Sequence, residues 1–364
     1  MEKGYKRKVT REITIGRKKI GAGSTILVQS MTKNKFEHPG LLKDEIRGLI
    51  SSGCEIVRIA VTDKDSIAYI SSLLKEGFFN DVPLVADVQF DFELALLALE
   101  AGAHCVRINP GNIGGLQKTR EVIKKAKEMD ACIRIGVNSG SIDKKILRKT
   151  GNDFPQAMIE STLEYVRFFE NMQFYNFKIS AKASSVTDSI YVYKALSEKI
   201  NYPLHLGITE AGSKFAGSIK SAVGLGILLY EGIGDTIRVS LTDDSVKEVK
   251  AGYYILNSLN LRSYGVDIIS CPTCGRTKAD LKSIAGKIEK ITQKISVPLK
   301  IAVMGCMVNG PGEAKEADIG IALGTSKAAI FLKGKVLKKV EIKDVFFEFK
   351  NELEKLLQIN NVRL

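Results

Sequence analysis

The chain is poor in histidine: it has three in 364 residues, and none follows His205. A structural zinc site in the last third would therefore lack the imidazole, or the fourth thiolate, that tetrahedral zinc prefers. Tryptophan is missing altogether, which by itself excludes nothing. The N-terminal residues carry charge with no apolar stretch behind them, so no secretory signal is read there. No apolar run reaches the roughly 18 residues of a membrane-spanning helix. Pro/Gly/Ser-rich linkers and low-complexity tracts are absent, and neither Gly224-Leu225-Gly226 nor the glycines at 320–324 form a phosphate-loop or dinucleotide fingerprint. Acidic residues are the scarcer charge, 41 Asp+Glu against 54 Lys+Arg, a formal excess of +13. Such a balance suits anionic partners: nucleic acid, a phosphorylated metabolite or an acidic electron-transfer protein. Six cysteines without a secretory signal point to a reducing compartment, the cytoplasm.

What is present is a regular alternation. Short β-rich apolar runs at 25–30, 55–61, 84–90, 105–109, 132–137, 177–181, 204–208 and 236–241 alternate with amphipathic or apolar stretches such as 41–52, 92–101, 116–129, 154–171 and 218–231. Eight strands alternating with helices over about 230 residues predict a (β/α)8 TIM-type barrel. A doubly wound open sheet is the alternative. After a helix at 244–259 the pattern changes near Arg262. Strands at 266–270, 299–304, 318–323, 328–332 and 335–342, with a basic amphipathic helix at 278–294 and a closing helix at 345–357, predict a small α/β domain. The expected division is a barrel over 1–261 and a second domain over 262–364.

Cations stand inside the predicted strands. Arg58, Arg107, Arg134 and Arg238 are each flanked by β-branched residues, and Lys182 ends the sixth strand. Arginine is a costly choice for a buried strand unless it has a partner. Period-two alternation puts Arg107 with Asn109, Arg134 with Asn138 and Arg238 with Ser240 on one face each. Those faces point to the C-terminal mouth, where barrel enzymes keep their sites. Structural salt bridges to Asp87 and Glu210 are the plainer alternative, but two acids cannot neutralise five cations. A polyanion such as a diphosphate, gripped by guanidinium groups, accounts for the excess. His205 and Glu210 close the seventh strand, and Glu210, beside the cations, suits an acid/base role.

Two Gly/Pro-rich turns hold the other chemistry. Cys271 and Cys274 form a C-x-x-C pair, Cys306 follows 32 positions after Cys274, and Glu313 lies seven further on. Three loop thiols and a carboxylate suggest a metal centre, better an iron–sulfur cluster than zinc. Glu313 is a weaker ligand for a soft centre than thiolate, hence the one a substrate oxygen would displace. Cys54, Cys105 and Cys132 lie in or beside strands and read as core.

Ser270-Cys271-Pro272-Thr273-Cys274-Gly275-Arg276-Thr277 with Met304-Gly305-Cys306-Met307-Val308-Asn309-Gly310-Pro311-Gly312-Glu313 closely resembles the 4-hydroxy-3-methylbut-2-enyl diphosphate synthase family. The likeness continues through Gln29-Ser30-Met31-Thr32, Val57-Arg58-Ile59-Ala60, Val106-Arg107-Ile108-Asn109-Pro110-Gly111-Asn112-Ile113-Gly114, Arg134-Ile135-Gly136-Val137-Asn138-Ser139-Gly140-Ser141, Gly207-Ile208-Thr209-Glu210-Ala211-Gly212 and Ile237-Arg238-Val239-Ser240-Leu241-Thr242. The resemblance implies a dihydropteroate-synthase-like barrel and a C-terminal 4Fe-4S domain similar to part of sulfite reductase. It implies two-electron reductive ring opening of 2-C-methyl-D-erythritol 2,4-cyclodiphosphate in the methylerythritol phosphate route to isoprenoids. Cys271, Cys274, Cys306 and Glu313 match cluster ligands. Arg58, Arg107, Arg134, Asn138, Lys182, His205, Arg238, Ser240 and Asn309 fall among substrate-binding positions, and Glu210 matches a residue proposed for proton handling. A flavodoxin or ferredoxin donor is implied, as is a homodimer with the active site between subunits; no nucleic-acid or membrane partner is expected. The chain looks like the short bacterial form, with no room for the inserted middle domain of plant-type members. Gln89 stands where many relatives have His, so it can hydrogen-bond but not transfer a proton as imidazole would. Two rival readings are a zinc-stabilised basic nucleic-acid-binding protein and a pterin-type synthase with a structural cluster.

Overall fold

The computed structural model describes residues 6–138, 140, 142–183, 185–274, 277, 279–306 and 315–359. The chain forms two compact units, Met1–Arg262 and Ser263–Leu364.

The first unit opens with a hairpin that sequence patterning did not reveal: β1 (Ile13–Ile15) pairs antiparallel with β2 (Lys18–Ile20). Two three-residue strands carry too little alternation to register as a period. Their apolar side, Ile13, Ile15 and Ile20, packs against Leu27, Ile56, Val85, Cys105 and Cys132. Those five stand at or near the starts of successive strands of a barrel, so the hairpin plugs its N-terminal end.

The barrel is closed. Its strands are β3 (Leu27–Met31), β4 (Ile56–Val61), β5 (Leu84–Val88), β6 (Cys105–Ile108), β7 (Cys132–Asn138), β8 (Phe177–Lys182), β9 (His205–Leu206) and β10 (Thr236–Ile237). All pair parallel, in the order β8-β7-β6-β5-β4-β3-β10-β9. A parallel bridge between Ile179 and Leu204 joins the two ends, which excludes the open doubly wound sheet. Around it run α1 (Pro39–Ser51), α2 (Lys64–Lys75), α3 (Phe92–Glu100), α4 (Gly115–Glu128), α5 (Lys144–Lys149), α6 (Phe154–Asn171), α7 (Val186–Lys199), α8 (Lys214–Tyr230) and α9 (Ser245–Ser258). Helix starts follow side-chain capping: Asp63, Asp91, Asp153, Ser185 and Asp244 each accept from a backbone N–H of the first turn. Buried spacing such as Leu42, Ile46 and Leu49 lays one stripe of each helix on the strands. β9 and β10 are shorter than the apolar runs predict. Past them the chain leaves the ladder, and Leu241 N–H is bonded to the Glu248 carboxylate instead of a strand.

The second unit is a five-stranded sheet, β11 (Val266–Ser270), β12 (Leu299–Met304), β13 (Ile319–Leu323), β14 (Lys327–Leu332) and β15 (Lys335–Glu341), in sequence order. The first three run parallel and the last three antiparallel. α10 (Leu281–Thr292) and α11 (Val345–Ile359) cover one face. Alternation decides which residues meet them: Ile301, Val303, Ile319, Ile321 and Ile330 join Ile284, Ile288, Phe349 and Leu353 in one core. Ala302, Met304, Ala322 and Phe331 form a smaller cluster from the opposite face, with the Phe331 ring lying over Gly320 where a Cβ would collide with it. Among the described residues, no helix is long and apolar enough to cross a membrane.

Candidate active site

Strand register assembles the charged groups of the barrel. Asp87 on β5 pairs with Arg107 on β6, Arg107 with Arg134 on β7, and Arg134 with Lys178 on β8. Lys178 Nζ donates to Gln29 Oε1 at 3.4 Å. Since β8 and β3 are not neighbours in the sheet, that bond crosses the barrel interior, and this register row faces inward.

Asp87 is the shared carboxylate. It lies 3.3 Å from Arg107 Nη1 and 3.8 Å from Arg58 Nε, and accepts from Gln89 Nε2 at 3.1 Å. The Arg58 guanidinium also rests on Met31 Sδ, at 2.8 Å from Nη2. Burial alone would push the Asp87 carboxyl up, but Arg58, Arg107 and Arg134 prevail and hold it below its ordinary value. The second acid is Glu248 on α9. It takes Arg238 Nη2 at 3.5 Å, Lys33 Nζ at 2.9 Å, Ser30 Oγ at 2.9 Å and the Leu241 backbone N–H at 3.0 Å. The expected partner, Glu210, plays no such part: it is exposed, on the loop after β9, and makes no ion pair with a described residue. Its φ of +55° is in the left-handed region, strained for a residue other than glycine.

Seven cations, counting Lys33 and Lys178, therefore meet two carboxylates, and buried donors are left over. Arg107 Nε, Arg134 Nη1, Arg238 Nε, His205 Nε2 and Gln29 Nε2 have no hydrogen-bond partner among the described residues. Arg134 is 2% exposed; its Nε donates to Ser180 Oγ at 3.0 Å. Burial and the neighbouring Arg107 push its guanidinium down to about 10. Burial, then repulsion from Arg134, Arg238, Arg58 and Arg107, pulls Lys182 well below the usual lysine value. Arg58 is lowered by burial against the pull of Asp87. Mutual repulsion of this kind means the cations converge on one volume. His205, fully buried at the start of β9, bonds Thr236 Oγ1 through Nδ1 at 2.8 Å. Burial and the surrounding cations hold it far below the ordinary histidine value, so the ring is neutral at neutral pH.

Two glycines make room for this arrangement. A Cβ on Gly136, two residues after Arg134, would collide with the Arg107 guanidinium, and one on Gly207 would collide with Lys182 Nζ. Asn138, in its hydrogen-bonding orientation, accepts from Arg107 Nη2 at 3.3 Å through its side-chain oxygen. Ser240 follows β10 and is half-buried. Glu248, Gly136 and Gly207 escaped the sequence reading. Their signals were an acid on the buried stripe of a helix and glycines at inward positions of strands. Lys178 escaped too, although it stands four residues before Lys182 on the same face.

In the second unit the register performs a similar task for the thiols. Ser270 pairs with Val303, and Cys271 N–H donates to Val303 O at 3.1 Å, so Cys271 and Cys306 leave the same ends of adjacent parallel strands. Gly305 lies against Thr277, whose Oγ1 would be 3.2 Å from a Cβ there, and Thr277 Oγ1 accepts from Cys274 N–H at 3.1 Å. Both cysteine turns thus meet around Thr277. Cys274 is exposed and Cys271 and Cys306 are half-buried, whereas Cys54, Cys105 and Cys132 are buried, as core thiols should be. Burial pushes the Cys54 thiol up to about 12. Accessible, soft donors on converging turns fit an iron–sulfur centre chemically. Among the described residues no three His, Cys, Asp or Glu side chains are grouped closely enough to hold a metal ion. Asn309 and Glu313 lie outside the described residues.

A closed (β/α)8 barrel whose strands turn a row of charged side chains into its interior is the layout of a barrel enzyme. Family models place it further: the GcpE TIM-barrel domain matches residues 10–253 and the GcpE protein C-terminal domain residues 267–355. A 4-hydroxy-3-methylbut-2-en-1-yl diphosphate synthase (flavodoxin) of Caldanaerobacter subterraneus subsp. tengcongensis is 51% identical over 97% of this chain and 98% of its own. That of Maridesulfovibrio salexigens is 50% identical over 97% and 98%. Among solved structures, a Plasmodium falciparum HPPK-DHPS variant superposes with a TM-score of 0.52 at 14% identity, over 78% of this chain and 52% of that one, which speaks for the barrel fold alone. The chain belongs to the GcpE family, the 4-hydroxy-3-methylbut-2-en-1-yl diphosphate synthases, oxidoreductases of isoprenoid biosynthesis.

Proposed function

We propose that the barrel mouth binds 2-C-methyl-D-erythritol 2,4-cyclodiphosphate through Arg58, Arg107, Arg134, Lys182 and Arg238, and that reduction there opens the ring and expels one oxygen as water. The observation that carries this reading is the set of buried guanidinium and imidazole nitrogens without partners among the described residues. A buried donor left unmet costs about 1–3 kcal/mol, so donors of this kind are kept for a ligand with many acceptor oxygens. A diphosphate is such a ligand, and planar guanidinium groups match its oxygens in pairs. Asn138 steadies Arg107, while Ser240 and Asn309 complete the substrate contacts. His205, being neutral, offers a hydrogen bond without adding charge. Glu210 is the proton-handling group: its exposed carboxylate stands on a strained loop, and strained backbone gathers at functional sites.

Cys271, Cys274 and Cys306, with Glu313 as the fourth ligand, would hold a 4Fe-4S cluster. When bound, such a cluster supplies electrons and Lewis acidity. Flavodoxin is the proposed donor, in keeping with the names of the relatives; ferredoxin is the alternative carrier. A cytoplasmic location, a reducing compartment in which thiol ligands persist, goes with this reading.

A homodimer is part of the proposal. α8 exposes Phe215, Ile219, Val223, Ile227 and Tyr230, spaced three and four residues apart along one face. An apolar stripe of this length on a soluble enzyme marks an interface. Phe215→Glu with Val223→Glu should leave a monomer in sedimentation; an unchanged dimer would move the interface elsewhere.

Anaerobic purification tests the whole reading. Brown protein carrying iron and acid-labile sulfide at about four each per chain, converting the cyclodiphosphate with a chemical reductant to the allylic diphosphate, is the expected result. Colourless, zinc-loaded protein without turnover would refute it.

A further inference from the structure

We propose that the exposed face of α10 is the docking surface for an acidic flavoprotein electron donor, a flavodoxin, with Lys287, Lys290 and Lys294 as its basic stripe. The inference rests on the redox reading above.

Helix α10 is two-sided. Leu281, Ile284, Ile288 and Thr292 are buried against the sheet, while Lys282, Lys287, Lys290 and, just past the helix end, Lys294 are exposed. Spacing of three and four residues sets Lys287, Lys290 and Lys294 on one line of the surface. The acid of this helix, Glu289, is about a third of a turn off that line, on the flank of Lys282. None of the four lysines makes an ion pair with a described residue, whereas several other lysines of the same unit do. Lys338 is held by Glu348 and Glu352, Lys327 by Glu341, and Lys350 by Glu354. β14 thus pairs its one lysine and α11 both of its own, Lys350 and Lys355, β15 pairs Lys338 but not Lys335 or Lys339, and α10 pairs none.

Position gives the stripe its meaning. α10 begins at Leu281, seven residues after Cys274, with its Asp280 cap bonded to Ser283 N–H. Its first turn abuts the second cysteine turn, since Leu281 Cδ2 would lie 3.2 Å from a Cβ on Gly305. Lys287 then stands about 9 Å along the helix axis from that junction at 1.5 Å per residue. A donor seated on the stripe is brought close to Cys271, Cys274 and Cys306. Lys287 Nζ also lies 5.7 Å from the Phe346 ring centroid, and Phe347 beside it is 64% exposed. A bare basic rim near an apolar contact is what an electrostatically steered, transient complex requires.

The test uses the full chain, purified anaerobically, and a purified bacterial flavodoxin of net negative charge. Lys287→Glu, Lys290→Glu and Lys294→Glu together should weaken flavodoxin binding by about tenfold or more at low salt, measured by calorimetry, and flatten its salt dependence. The KM for flavodoxin should rise correspondingly, with dithionite-driven turnover unchanged. A control carrying Lys75→Glu, Lys127→Glu and Lys199→Glu on the barrel has the same net charge and should bind flavodoxin as the parent does. Equal weakening in both triples, or none in the α10 triple, overturns the proposal. The binding measurement does not depend on turnover. Loss of affinity in an enzyme inactive with dithionite keeps the docking surface and refutes the proposed chemistry, whereas normal affinity in an active enzyme does the reverse.

Discussion

The barrel mouth and the cysteine turns hold their chemistry in opposite ways. At the mouth, cations are built into consecutive strands, buried, and braced by Asp87 and Glu248. The fold supports the charges before any ligand arrives. In the second unit the strand ends bring two turns together, but Cys274 is exposed and Cys271 and Cys306 only half-buried. There a bound metal would finish what folding starts, as expected where ligand binding and local order are coupled. One region buries its charges among packed strands, and the other presents soft donors at the ends of two strands.

Changes that break the contrast differ in size. The largest effect belongs to Cys274→Ser: turnover with dithionite should fall to background and the visible absorption of the cluster should bleach, while near-ultraviolet signals of the barrel persist. Turnover near the parent's would show that this thiol is no ligand.

Next comes Asp87→Asn. It strips Arg58 and Arg107 of their carboxylate and should cost about 3–5 kcal/mol of stability in urea, since one partner of a buried pair is left uncompensated. Added diphosphate should restore part of the loss. Protonation does the same reversibly. The Asp87 carboxyl is held below its ordinary value despite burial, because three arginines outweigh it. Its stabilising contribution is thus complete above the unfolded carboxylate value of about 3.9 and disappears as pH falls through the lower folded value. The acid limb of the parent should be steeper than that of the Asn variant.

Arg134→Ala should weaken cyclodiphosphate binding by about 10- to 100-fold, the size of one charge-assisted hydrogen bond, with little change in melting temperature. Unaltered affinity would place the phosphates elsewhere. Smallest is Gly136→Ala, where one methyl displaces the Arg107 guanidinium. Affinity should drop by about tenfold in a protein whose cluster content is unchanged.

Much of the frame was legible in the chain itself. The eight barrel strands fall where β-rich runs lie, because strands buried on both faces must be apolar and helices between them must be two-sided. The five strands of the second unit fall on such runs too, although β15 is largely exposed. The cations were visible as misfits in apolar runs. Their partners were harder. Glu210, next to the seventh strand, looked the natural acid, yet Glu248 from α9 reaches Arg238, because a helix that returns over the barrel brings residues distant in sequence to the strand ends. The hairpin at Ile13–Ile20 was invisible for a simpler reason: three residues per strand make no period.

The sequence alone determined which chemistry is possible: soft thiols in two turns, guanidinium groups in strands, and no histidine near the thiols to favour zinc. Tertiary structure decided which of these groups act together. Register set Asp87, Arg107, Arg134 and Lys178 side by side on four strands, and barrel closure aimed them into one volume. Close packing then required glycine at Gly136 and Gly207 to let Arg107 and Lys182 cross it. Charge in a buried space depends on distances of a few ångströms, and those distances are properties of packing that no local run of residues contains.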